Sequence, residues 1–142
     1  MATLTVTEKQ LQLIQKSLDF YSRVGIGQFE EIKKHPTFEK HLHKEFEIDG
    51  KTDYTRYHAV RDSADNVIFQ ARNILYNDNS LGKNGSWGIY NPKVDESCRE
   101  AFDLIQVIRH EFWKSNPKRS NITVDSSVHL HCKDSDKIKV EL

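Results

Sequence analysis

Arg109 falls among Phe102, Ile105, Phe112 and Trp113, at offsets of seven, four, three and four along a helically periodic stretch. That places it on the edge of an apolar face. A guanidinium flanked by aromatic rings can fork onto a phosphate and stack against a base, which is what binding a nucleotide requires. The same position also suits an arginine that snorkels from a core boundary. Trp87, Tyr90 and Asn91 form a second group beside glycine-rich turns. An indole or phenol meets the face of a nucleobase and an amide its edge; equally, Trp87 could plug the core and Asn91 open a turn before Pro92. A third group, Arg23, Gly25, Gly27 and Gln28, combines a cation with a glycine-broken helix whose backbone N–H groups can meet an anion. A plain hinge between helices explains it as well. Arg56 is a further candidate cation in a segment that reads as either strand or helix.

Other chemistries leave weaker traces. Of the seven histidines, His129 and His131 share one face of an expected strand, but a metal site needs a third and fourth ligand. His41 and His43 point apart on a helix, and no HExxH or Cys/His spacing occurs, so no metal and no cofactor are expected. Cys98 and Cys132 lack CxxC spacing, and nothing marks Cys98 as an activated nucleophile. GxSxG, Walker and GxGxxG motifs are absent, and Glu30-Glu31 sits on a charged surface suited to solubility. No catalytic residues are expected, which favours a binding protein over an enzyme.

The elements that would position these residues follow from local signals. Leu4 and Val6 alternate with threonines like a short strand, and Thr7 with Gln10 makes a capping box for a helix carrying Leu11, Ile14, Leu18 and Tyr21. Gly25 and Gly27 break it before a turn with Ile26, Phe29 and Ile32. Thr37 is expected to cap the next helix, which ends before Asp49-Gly50. Residues 54–63 are ambiguous; 64–76 read as helix, 77–84 as a polar loop, and 86–90 as a short strand or extended segment. Asp95 caps the clearest helix, with a stripe of Ala101, Ile105, Ile108 and Phe112. Ile122–Val124, Val128–Cys132 and Lys137–Leu142 look like strands. The expected fold is α+β: several helices packed on a small, largely antiparallel sheet, a single ligand-binding domain over residues 1–142.

Composition sets the outer bounds. The 142 residues are 37% hydrophobic and 30% charged, with aromatics throughout, which excludes intrinsic disorder. Lys plus Arg and Asp plus Glu are each 21, so no net field exists to hold duplex nucleic acid. A few converging arginines could still bind one small anion. The N-terminal residues lack a signal-peptide pattern and no stretch reaches membrane-spanning length, so a cytoplasmic, membrane-free protein is expected.

The blocks 18–30 (LDFYSRVGIGQFE) and 101–110 (AFDLIQVIRH), with 87–92 (WGIYNP) before the second, resemble small phage-encoded proteins, and most of all the first type of Thoeris anti-defence protein. The blocks cover about a quarter of the chain. That resemblance implies a phage sponge for immune evasion, one that sequesters cyclic ADP-ribose isomers made by bacterial TIR-domain enzymes without cleaving them, in the host bacterial cytoplasm. It also implies a homodimer or higher homo-oligomer with pockets at subunit interfaces, and some such proteins bind cyclic oligonucleotides. Arg109 transfers as a phosphate contact, and Trp87 and Asn91 as base contacts. Two alternatives compete: a protein-interaction module that inhibits a host enzyme, and a phosphodiesterase built around His129 and His131.

Overall fold

The structure, a computed structural model, describes residues 4–48, 50–115 and 140. It is mostly helical. In order come α1 (Glu8–Gly25), a 3-10 helix (Phe29–Lys34), α2 (Pro36–Glu45), β1 (Glu47–Ile48), β2 (Lys51–Thr52), α3 (Tyr54–Tyr76) and α4 (Glu96–Ser115). Two residues per strand, paired antiparallel with Glu47 opposite Thr52, make the one β ladder among the described residues. The expected α+β fold with helices on a sheet is therefore corrected to a helical one. Residues 4–6 join no strand, 54–63 are helix, and 86–90 are loop and turn. The three C-terminal strands and His129, His131 and Cys132 lie outside the described residues.

Local chemistry accounts for the corrected elements. Asp53, not weighed as a cap in the sequence, accepts the Arg56 N–H at 3.2 Å and starts α3. One helix then runs on to Asn77, a left-handed residue at φ 48° that ends it as Asp78 N–H bonds back to Asn73 O at 3.1 Å. His35, rather than Thr37, caps α2, because Pro36 occupies the first helical position where its fixed φ and missing N–H cost nothing. The capping box of α1 forms as expected: Thr7 N–H donates to Gln10 Oε1 at 2.8 Å and Gln10 N–H to Thr7 Oγ1 at 3.3 Å.

The chain divides into two compact units. In the first, the described residues up to Ile26 pair α1 with α4, together with the turn from Trp87 onward. Its core holds Leu11, Trp87, Val94, Cys98, Ala101, Ile105, Val107 and Ile108. Each large apolar side chain buried there contributes roughly 1.5–3 kcal/mol. Gly25 lets the helices close, since a Cβ there would overlap Cys98 Sγ and come within 3.1 Å of Cys98 Cβ.

The second unit, Gly27–Ser86, packs α3 on the 3-10 helix, with α2 alongside that helix. Gly27 opens it at φ 87°, a conformation that disfavours any side chain. Its described residues bury one large apolar side chain, Tyr57, and one cation, Arg72, which is 1% exposed. No helix among the described residues is long and apolar enough to cross a membrane.

Candidate functional site

In the first unit, the turn from Trp87 to Asp95 is built around Arg99 at the start of α4. Its guanidinium donates to Ile89 O (3.1 Å), Asn91 O (3.3 Å) and Val94 O (3.0 Å), so one planar fork fixes the course of the turn. The Trp87 side chain is 6% exposed, and its backbone N–H donates to Ile26 O at 2.9 Å. Asn91 Oδ1 accepts the Lys93 N–H at 3.0 Å, and Asn91 N–H donates to Gly88 O at 2.8 Å. Lys93 Nζ lies 5.6 Å from the Trp87 ring centroid, an ammonium over an indole. Tyr90 is 62% exposed. The turn thus presents a phenol and an ammonium on a frame whose backbone is already hydrogen-bonded.

The sequence-nominated residues are only partly brought together. Trp87, Tyr90 and Asn91 share this turn. Arg109 is half-buried on α4, ten residues beyond Arg99 and so about 15 Å further along the helix axis. Arg23 sits in the last turn of α1, where its Nε donates to Asp19 Oδ2 at 2.6 Å. Arg56 belongs to the second unit, where its guanidinium lies 5.6 Å from the Phe46 ring. Sequence reasoning missed Lys93 and Arg99. Both stand within one turn of the recognised Pro92 and Asp95, and a search for cations beside that boundary would have found them.

Titration in the first unit runs away from reactivity. Burial pushes the Cys98 thiol up, and the nearby Asp95 carboxylate adds to this, while the Ser97 and Tyr21 hydroxyls pull the other way. A buried thiol so placed is a poor nucleophile. The Ser97 hydroxyl and then the Ser97 backbone N–H (3.0 Å) hold the Asp95 carboxyl below its ordinary value, as expected of a carboxylate capping α4.

The second unit carries its own aromatic ledge. Tyr54, Tyr57, His58 and Arg61 follow at i, i+3, i+4 and i+7 along α3. His43 of α2 stacks on Tyr57 with centroids 4.8 Å apart, and Tyr54 and His58 lie nearly parallel at 6.2 Å. Arg61 covers Tyr57, with Cζ 5.4 Å from the centroid and Nη1 donating to its hydroxyl at 3.1 Å. The ambiguity over residues 54–63 hid this spacing. Further along α3, Arg72 donates to Gly85 O, Leu81 O and Gly82 O, each at 3.0 Å, and to Asn73 Oδ1 at 3.1–3.3 Å, with its Cζ 4.9 Å from the Phe69 centroid. Among the described residues no carboxylate pairs with it; carbonyl dipoles and a ring balance it instead. Lys33 pairs with Asp65 beside it.

Among the described residues no cluster of three or more histidine, cysteine, aspartate or glutamate side chains could hold a metal ion. No family model, curated protein or solved structure matches the chain, so the likeness to the Thoeris anti-defence proteins stands on the quoted blocks alone.

Proposed function

We propose that this chain is a binding protein that captures a compact anionic nucleotide of the cyclic ADP-ribose type and holds it without cleaving it, as a phage anti-defence sponge in the host cytoplasm. The observation that carries the reading is the Trp87–Asp95 turn. Arg99 sets its backbone before any ligand arrives, and it offers Tyr90 as a stacking face and Lys93 as a cation. A sponge acts by mass action, so it needs affinity and a preformed surface rather than a base, a metal or a nucleophile. The suppressed reactivity of Cys98 accords with that. A module that docks on a host enzyme is the second reading, and the apolar and aromatic residues left exposed on α1, Leu13, Phe20 and Tyr21, favour it.

The test is to follow the melting temperature with cyclic ADP-ribose isomers and then recover the ligand by heat denaturation. Sequestration predicts a large upward shift, intact ligand released, and affinity reduced at least tenfold by Tyr90→Ala or Lys93→Ala without loss of helicity. Arg109→Ala, in the block that resembles the family most closely, should also weaken binding if it is a phosphate contact. No shift with any cyclic nucleotide overturns the reading in favour of a protein partner, and time-dependent loss of ligand overturns it in favour of a phosphodiesterase.

A further inference from the structure

The second unit exposes more large apolar side chains than it buries. Against Tyr57 in its interior stand Phe38, Tyr54, Val60, Val67, Ile74 and Leu75 on its surface. Five of these lie on α3. Val60, Val67 and Ile74 are 40%, 67% and 76% exposed and recur at intervals of seven. Ala64 and Ala71 fall between them, giving successive spacings of four, three, four and three, which is the seam of a coiled coil. The seam is about 21 Å long at 1.5 Å per residue. Leu75, 73% exposed, widens one flank.

Charge is missing from this face. In a chain that is 30% charged, the seam and its immediate neighbours Ala59, Ser63, Asn66 and Gln70 carry none. Arg61, Asp65 and Arg72 are engaged elsewhere, with Tyr57, Lys33 and the 81–85 loop. Large and small residues also alternate along the seam. When an identical helix lies antiparallel, with a two-fold axis at the midpoint of Ala64 and Val67, Val60 faces Ala71 and Ala64 faces Val67, and the same contacts repeat across the axis. Val60 and Val67 then each meet an alanine, Ile74 falls opposite the position of Tyr57 beyond the end of the seam, and no like charges are apposed. A face complementary to itself under a two-fold rotation is what an isologous dimer needs.

We infer that the Val60–Ile74 face of α3 is a dimer interface that seats the same face of a second copy of this chain, antiparallel. A unit with so little interior of its own gains from that contact the apolar burial it otherwise lacks. The inference does not rest on the nucleotide reading, because the Trp87–Asp95 turn takes no part in it.

Sedimentation velocity on the full chain over a concentration series should give twice the mass of one chain, with the dissociation constant raised at least a hundredfold by Val67→Glu. The circular-dichroism melt of the diluted monomer should be unchanged, since Val67 is exposed. Under mild oxidation, Val60→Cys mixed with Ala71→Cys should form an interchain disulfide that neither variant forms alone. A single-chain mass at every concentration, a dimer that survives Val67→Glu, or self-linking of Val67→Cys in place of the mixed pair would each overturn the proposal. For a monomer, alkylation of Val67→Cys names the replacement: a blocked thiol means the chain covers its own face, and an open one means a partner of different composition.

Discussion

Arg72 and Cys98 show how single side chains are used here for order rather than for chemistry. Replacing Arg72 with alanine strips three loop carbonyls of a donor and removes the buried cation of the second unit. We expect a loss of about 3 kcal/mol in urea unfolding. Arg72→Lys should recover little of it, since an ammonium cannot span the same carbonyls as a planar fork. Cys98 links to pH. Its folded-state thiol is raised by burial, so its contribution to stability is complete below the unfolded thiol's pKa and is lost as pH rises through the folded value. The urea midpoint should therefore fall as pH rises above the ordinary thiol value of about 8.5, and Cys98→Ala should flatten that part of the profile. Alkylation of the folded protein at Cys98 should be slow below that pH.

At the scale of elements, the sequence was most legible where one strong signal stood alone. The Thr7–Gln10 box, the glycine break after α1 and the Ala101–Ile105–Ile108 stripe all became the elements they announced. Residues 54–63 were opaque because their inward positions, Tyr57 and Arg61, are amphipathic, and helical periodicity is read from aliphatic residues. Residues 86–90 looked extended through Trp87, Ile89 and Tyr90, but Arg99 supplies to Ile89 O the bond a neighbouring strand would have made. The partners of Arg99 were equally illegible, because a side chain that hydrogen-bonds backbone leaves no complementary residue type to find. The closeness of α1 and α4 can be tested at Gly25. Gly25→Ala should cost about 2 kcal/mol by forcing the helices apart, and Cys98→Ala should rescue part of that in a double-mutant cycle, because the Sγ is the atom the new methyl meets.

For the whole molecule, the two units differ in kind. One is closed by aliphatic packing and the other by a guanidinium, a few rings and, in our inference, a second copy of itself. They also differ in continuity. The first unit is assembled from two stretches of chain, and Trp87 N–H donating to Ile26 O at 2.9 Å joins the point where the chain leaves to the point where it returns. A chain in which residues 27–86 give way to a short glycine-containing turn should therefore keep the α1–α4 pair, seen as a helical, cooperatively melting protein. Non-cooperative melting of that variant would show that the pair depends on the excised residues. The clasp also orders events during synthesis. With α1 made well before α4, the Leu11–Leu18 stripe leaves the ribosome about eighty residues ahead of the helix that covers it. The intervening unit has all its residues in hand before then, so its local contacts form first, and α1 waits with apolar surface uncovered. A nascent chain stalled shortly before α4 should bind hydrophobic holdases through α1, and release from them should coincide with the emergence of Ile105 and Ile108.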